Sequence, residues 1–146
     1  MSRVYWDSML FMYLLEGNPT FGPIIAGILR EMNERQDTLC TSVFCIGEVL
    51  TGPRKMGFHA EADKALHFFT SPSVEILPFT METANQFSKV RAQTGASPPD
   101  AIHLATAAIA GVDVFLTNDR KLLQLQIAGI QFIAGIDGRI YNKYQP

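Results

Sequence analysis

The feature that most constrains this chain is an alternation. Short apolar runs at 4–6, 38–41, 73–77, 114–117 and 130–133 are separated by longer stretches with helical periodicity. The runs, of which Val4-Tyr5-Trp6 is the first, read as strands. Between them the spacing predicts a short helix over 8–15 and an amphipathic helix ending near Arg35, with Ile24, Ile25, Ile28, Leu29 and Met32 on its apolar side. Ser42 reads as the N-cap of a helix that carries Phe44, Ile46, Glu48, Val49 and Leu50 and stops at Gly52-Pro53. Further helices are expected over 59–69, from a Thr80 cap to about Gln93, from Pro98 to a Gly111 stop, and briefly over 119–125. Strands divided by helices require right-handed crossovers. The expected fold class is therefore α/β, with a mainly parallel central sheet of four to five strands flanked by helices on both faces.

With 146 residues the chain is the size of one domain, spanning 1–146. Hydrophobic residues make up 47% and charged ones 18%, a balance that excludes disorder. Two cysteines, Cys40 and Cys45, are too few for a disulfide scaffold and do not complete a four-ligand structural zinc site, and their apolar surroundings read as buried reduced thiols. The start lacks the apolar core of a signal peptide, and Asp7, Glu16, His103 and Asp113 interrupt the best membrane-spanning candidates. A cytoplasmic protein with no membrane partner is the expectation. Net charge is −2, so bulk electrostatics cannot hold nucleic acid; any such contact must be local and metal-assisted.

Four carboxylates stand out among fourteen acidic residues. Asp7 directly follows the first strand, and Asp119 lies two residues past Thr117 at the end of the fourth. Ligand crevices in open α/β sheets lie outside the carboxyl ends of strands, so the two can face one cleft. Each can equally be a helix cap. Glu48 is the one charge in 41–51, where burial requires a partner or a metal; a single solvated stripe would also accommodate it. Asp100 sits in the first turn of its helix, where the helix dipole alone accounts for an acid. Taken together, the four suggest a pocket for a hard divalent cation, since such ions take oxygen ligands and promote in-line phosphodiester cleavage.

The order strand-Asp7-Ser8, Thr41-Ser42 through Glu48, Pro99-Asp100-Ala101-Ile102-His103-Leu104-Ala105 and Leu116-Thr117-Asn118-Asp119 resembles the PIN-domain nucleases. Within them it is most similar to the VapC-like toxins of toxin–antitoxin pairs, from about Val4 to Ile133. The resemblance implies a three-layer PIN-like fold and an endoribonuclease dependent on Mg²⁺ or Mn²⁺. Asp7, Glu48, Asp100 and Asp119 would form its acidic cluster, with Asp7 and Asp100 the firmest ligands and the other two acting partly through water. Ser8 and Thr117 would place hydroxyls beside it. A homodimer and a small cognate antitoxin are implied as partners. Met9 departs from the pattern, where a small or polar residue is more usual, and bears on groove shape.

Other folds with an early aspartate fit poorly. Met9 excludes the second aspartate of a haloacid-dehalogenase-type phosphatase, and no glycine-rich turn follows the first strand as a dinucleotide site needs. The alternative from another class is a non-catalytic PIN-like scaffold that binds RNA or a protein, against which the intact carboxylate set argues. Arg54, Lys55, Arg120 and Lys121 are the candidates for RNA phosphates, with solvated surface charge as the plain alternative. His103, one helical turn past Asp100, reads as a core histidine within reach of the site. Phe11, Met12 and Tyr13 read as apolar surface available to a dimer.

Overall fold

Period-two alternation puts Val4 and Trp6 on one face of β1 (Arg3–Trp6) and Tyr5 on the other. The computed structural model, which describes residues 1–137, builds one core on each of those faces. Residues 138–146 of the expected domain lie outside the described residues. On the first face Val4 and Trp6 join Leu39 of β2 (Thr38–Ser42), Val74 of β3 (Val74–Leu77) and Leu116 of β4 (Val114–Leu116). Four helices cover them: α1 (Ser8–Leu15), α2 (Gly22–Arg35), α3 (Val43–Lys55) and α4 (His59–Phe69). These bring Leu10, Phe11, Ile25, Met32, Val49 and Phe69 into the same cluster. On the second face Tyr5, Cys40, Leu77 and Phe115 pack under α5 (Met81–Thr94) and α6 (Pro98–Ala110) through Val90, Leu104 and Ala107.

With β5 (Phe132–Ala134) the sheet has the order β3-β2-β1-β4-β5, and every pairing is parallel. From β1 the chain steps outward to β2 and β3, then returns to the other side of β1 for β4 and β5. The order therefore reverses between β1 and β4, and the carboxyl ends of those two strands open a crevice. Trp6 pairs with Leu116 in the final register, and the Asp7 N–H extends the ladder by donating to the Leu116 carbonyl at 3.1 Å. Both helices that converge on this end start from capping hydroxyls. Ser42 Oγ accepts from the Cys45 N–H at 2.9 Å, and Ser97 Oγ from the Asp100 N–H at 3.4 Å. Gly111 ends α6 at φ 67°, as a C-cap glycine should.

Local pattern misplaces several boundaries. The helix expected to stop at Gly52-Pro53 continues to Lys55, with Pro53 inside it. Proline removes one donor, but the Gly52 and Pro53 carbonyls still accept from Met56 and Phe58, so another turn forms. The helix expected over 119–125 reduces to a 3₁₀ turn at Leu122–Gln124. The final strand is Phe132–Ala134 in place of 130–133, and Thr117 lies just past β4, its N–H donating to the Ala134 carbonyl at 3.0 Å. Phe11 is not surface. It is fully buried against Trp6, Phe68 and Phe69, while Tyr13, half-buried, stacks on Phe21. Burying such a ring stabilises by about 1.5–3 kcal/mol, which leaves no reason for it to face a dimer partner. Cys40 and Cys45 are free and buried, as expected. No helix among the described residues is long and apolar enough to cross a membrane.

Candidate active site

The crevice between β1 and β4 is built around Asp7. This residue caps α1 and is only 6% exposed. Its Oδ1 accepts from the Ser8 N–H at 2.8 Å and its Oδ2 from the Thr117 hydroxyl, also at 2.8 Å. The Thr117 oxygen in turn accepts from the Asp119 N–H at 3.0 Å, so one buried hydroxyl ties the first strand's acid to the fourth strand's. Asp119 closes the turn that follows, Oδ1 accepting from the Lys121 N–H at 3.0 Å. Behind Asp7, the Thr41 hydroxyl donates to the Trp6 carbonyl at 3.1 Å, which locks β2 to the end of β1. Capping and site are thus compatible, because each cap employs the carboxylate without exhausting its lone pairs.

The other two carboxylates arrive on helices. Asp100 stands in the first turn of α6 and is half-buried. Burial raises its pKa above the ordinary carboxylate value, a hydrogen bond with Ser97 opposes this, and the negative charges of Asp7 and Asp119 raise it further. Those last two causes show that Asp7, Asp100 and Asp119 share one electrostatic environment. Glu48 comes from α3, and its Oε1 lies 2.5 Å from Nε2 of His103. His103 is buried, with Nε2 also 3.7 Å from Asp7 Oδ1 and Nδ1 2.7 Å from the Tyr5 hydroxyl. The histidine is therefore both a core residue and a member of the site.

All four acids named from sequence lie toward this end of the sheet: Asp7 and Asp119 are linked through Thr117, Asp7 and Glu48 through His103, and Asp100 feels the charges of Asp7 and Asp119. Their chemistry, hard oxygen donors on separate elements, fits a divalent cation that keeps part of its water shell. Among the described residues no three His, Cys, Asp or Glu side chains are gathered tightly enough to hold one ion as they stand. The basic candidates divide. Arg120 and Lys121 are exposed in the turn directly after Asp119. Arg54 and Lys55 lie in the last turn of α3, at the end away from its Ser42 cap, and Arg54 is engaged by Asp63 at 3.1 Å and His59 at 3.2 Å. Sequence reasoning missed Tyr5 and Thr41. A tyrosine in an apolar strand shows no sign of where its hydroxyl goes, whereas the spacing of His103 from Asp100 did signal proximity.

The sequence matches the PIN domain family over residues 4–128. No curated protein matches it. Among solved structures, the VapBC2 assembly of Rickettsia felis bound to a DNA fragment from its promoter is similar in fold. Its TM-score is 0.74 at 15% identity, over 91% of this chain and 98% of that one. A toxin–antitoxin complex from Klebsiella pneumoniae gives 0.66 at 18% identity over 87% and 94%. A sarcin–ricin-loop-cleaving VapC toxin from Mycobacterium tuberculosis gives 0.63 at 16% identity over 77% and 86%.

Proposed function

The chain belongs to the PIN domain family, and from that premise we propose that it is a metal-dependent endoribonuclease serving as the toxin of a toxin–antitoxin pair. One observation carries the reading. Three aspartates from three elements meet at the strand-order reversal, where the negative charges of Asp7 and Asp119 act in the same direction as burial and raise the Asp100 pKa. A site that concentrates like charge in this way is built for a counter-ion. Asp7 and Asp100 would hold Mg²⁺ or Mn²⁺ most directly, with Glu48 and Asp119 completing the set. When bound, such an ion supplies an activated water and offsets charge on the phosphate.

The chain's own residues do the remaining work. Thr117 holds Asp7 and Asp119 at a fixed separation by bonding both. The Ser8 N–H orients the other oxygen of Asp7. Arg120 and Lys121, exposed beside Asp119, would take RNA phosphates and so compensate for the acidic total of the chain. The test is cleavage of single-stranded RNA with Mn²⁺ or Mg²⁺ and its loss in EDTA. Asp100→Asn should reduce cleavage by several orders of magnitude, and an undiminished rate would overturn the assignment.

A small antitoxin is proposed as the partner, since solved relatives are described as toxin–antitoxin assemblies. The open groove among α1, α3 and α4, about 560 Å³ and lined by Met12, Leu15, Val49, Met56 and Phe58, is the apolar surface available to it. Met56 and Phe58, two large apolar side chains, are 67% and 55% exposed there.

A further inference from the structure

The Tyr5–His103–Glu48 chain has no counterpart in the metal reading, which uses Glu48 but says nothing of what aims it. We infer that His103, held by Tyr5, is a positioning residue that orients the Glu48 carboxylate toward the cleft. This rests on the nuclease reading and deepens it.

Three observations support the inference. First, Glu48 is a long side chain and the one charge in residues 43–51 of α3, with its side chain 25% exposed. Left alone it would sample several rotamers, and ordering it costs side-chain entropy. His103 supplies the anchor at Oε1, and no described residue donates to Oε2. Secondly, the hydrogen-bond direction follows from the partners. A carboxylate has no proton to give, so Nε2 must carry the hydrogen, and in the neutral ring Nδ1 must then accept from the Tyr5 hydroxyl. Thirdly, the ring cannot turn freely. Tyr5 meets it edge-on with centroids 5.8 Å apart, and Phe44 does so at 5.7 Å. Tyr5 is itself stacked on Phe115 at 5.1 Å in the core of the second face. The orientation of Glu48 is therefore set from a rigid strand in the centre of the sheet, through a ring fixed in both tautomer and rotamer. Partners of this kind behind a metal-binding side chain are worth about ten- to a hundredfold in metal affinity.

The experiment combines a metal-free and a metal-bound measurement on the full chain. Nitrogen NMR of the wild type in EDTA reads the tautomer of His103 directly; hydrogen on Nε2 is expected, and hydrogen on Nδ1 alone would overturn the inference. Calorimetric titration with Mn²⁺ is then compared across wild type, Tyr5→Phe, His103→Ala and His103→Gln, with melting curves to establish folding. Tyr5→Phe retains the ring and removes only the hydroxyl, so it tests the chain even where His103→Ala fails to fold. Affinity should fall about tenfold in Tyr5→Phe and further in His103→Ala, and His103→Gln, whose amide can donate to Glu48, should recover part of it. In RNA cleavage kcat should fall with KM little changed. Folded Tyr5→Phe and His103→Gln binding Mn²⁺ as the wild type does would overturn this inference and leave the nuclease reading standing. A wild type that neither binds Mn²⁺ nor cleaves RNA would overturn both.

Discussion

Thr117→Val is the substitution that isolates the tie between the two strand-end acids. Valine matches threonine in shape, with a methyl group in place of the hydroxyl. Thr117 is fully buried, so no water can replace what is lost. The hydroxyl donates to Asp7 Oδ2 at 2.8 Å and accepts from the Asp119 N–H at 3.0 Å. A hydrogen bond to a charged group contributes about 1.5–3 kcal/mol and a neutral one about 0.5–1.5. The sum is about 2–4.5 kcal/mol. At roughly 3 °C per kcal/mol for a chain of 146 residues, Tm should fall by about 6–14 °C. Thr117→Ser keeps both bonds and loses one methyl, at a cost near 1 kcal/mol. Circular-dichroism melts in EDTA and RNA cleavage with Mn²⁺ would measure the two effects together. The expectation is a valine variant that is folded at room temperature, less stable than the serine variant, and at least tenfold slower in cleavage. If valine and serine variants melt together and the valine variant cleaves at the wild-type rate, the hydroxyl does not hold the site.

The remaining predictions use other parts of the same surface. The raised Asp100 pKa means that the folded state holds that proton more tightly than the unfolded chain. In EDTA the wild type should therefore lose stability as pH rises from the ordinary carboxylate pKa through the raised one, and Asp100→Asn should abolish that loss; melts at about pH 3 and about pH 7 check the sign. Mg²⁺ at a hundredfold excess over Kd should stabilise the wild type by about 2.7 kcal/mol and Asp100→Asn by much less, an effect read from the same melts. Arg120→Ala with Lys121→Ala should raise KM for RNA severalfold, whereas Arg54→Ala, already occupied by Asp63, should leave it unchanged. Met56→Asp or Phe58→Asp should weaken co-purification of an antitoxin while shifting Tm little, because both side chains are largely exposed.

What could be read without coordinates, and what could not, divides along physical lines. Asp7 directly follows one apolar run and Asp119 comes two residues after another, so their places at strand ends were legible, and so was the crevice that parallel strands open. The contact between Glu48 and His103, 55 residues apart, was not, because the way α3 and α6 meet is decided by packing on the sheet and not by either helix's own pattern. The segment over 119–125 has the spacing of a helix, yet Asp119 binds the Lys121 and Leu122 N–H groups in a tight turn instead. Phe11 was misread because a continuous apolar helix offers no periodicity to tell inside from outside.

Structural and functional roles of a side chain are not rivals. For Asp7 the structure shows the capping role, and its geometry leaves the proposed site role open alongside it. One oxygen receives the Ser8 N–H, the other the Thr117 hydroxyl, and each retains a lone pair. For His103 the choice between core and site was equally false, since a buried imidazole has two nitrogens and can satisfy one toward the core and the other toward the cleft. A polar side chain at the end of a buried strand or helix has to be bonded on its inner side in order to be presented at all on its outer one. The stabilising contacts of these residues are therefore the means by which their chemistry is aimed. The same reasoning explains why a substitution such as Thr117→Val, which touches no substrate, is expected to register in stability and in rate at once.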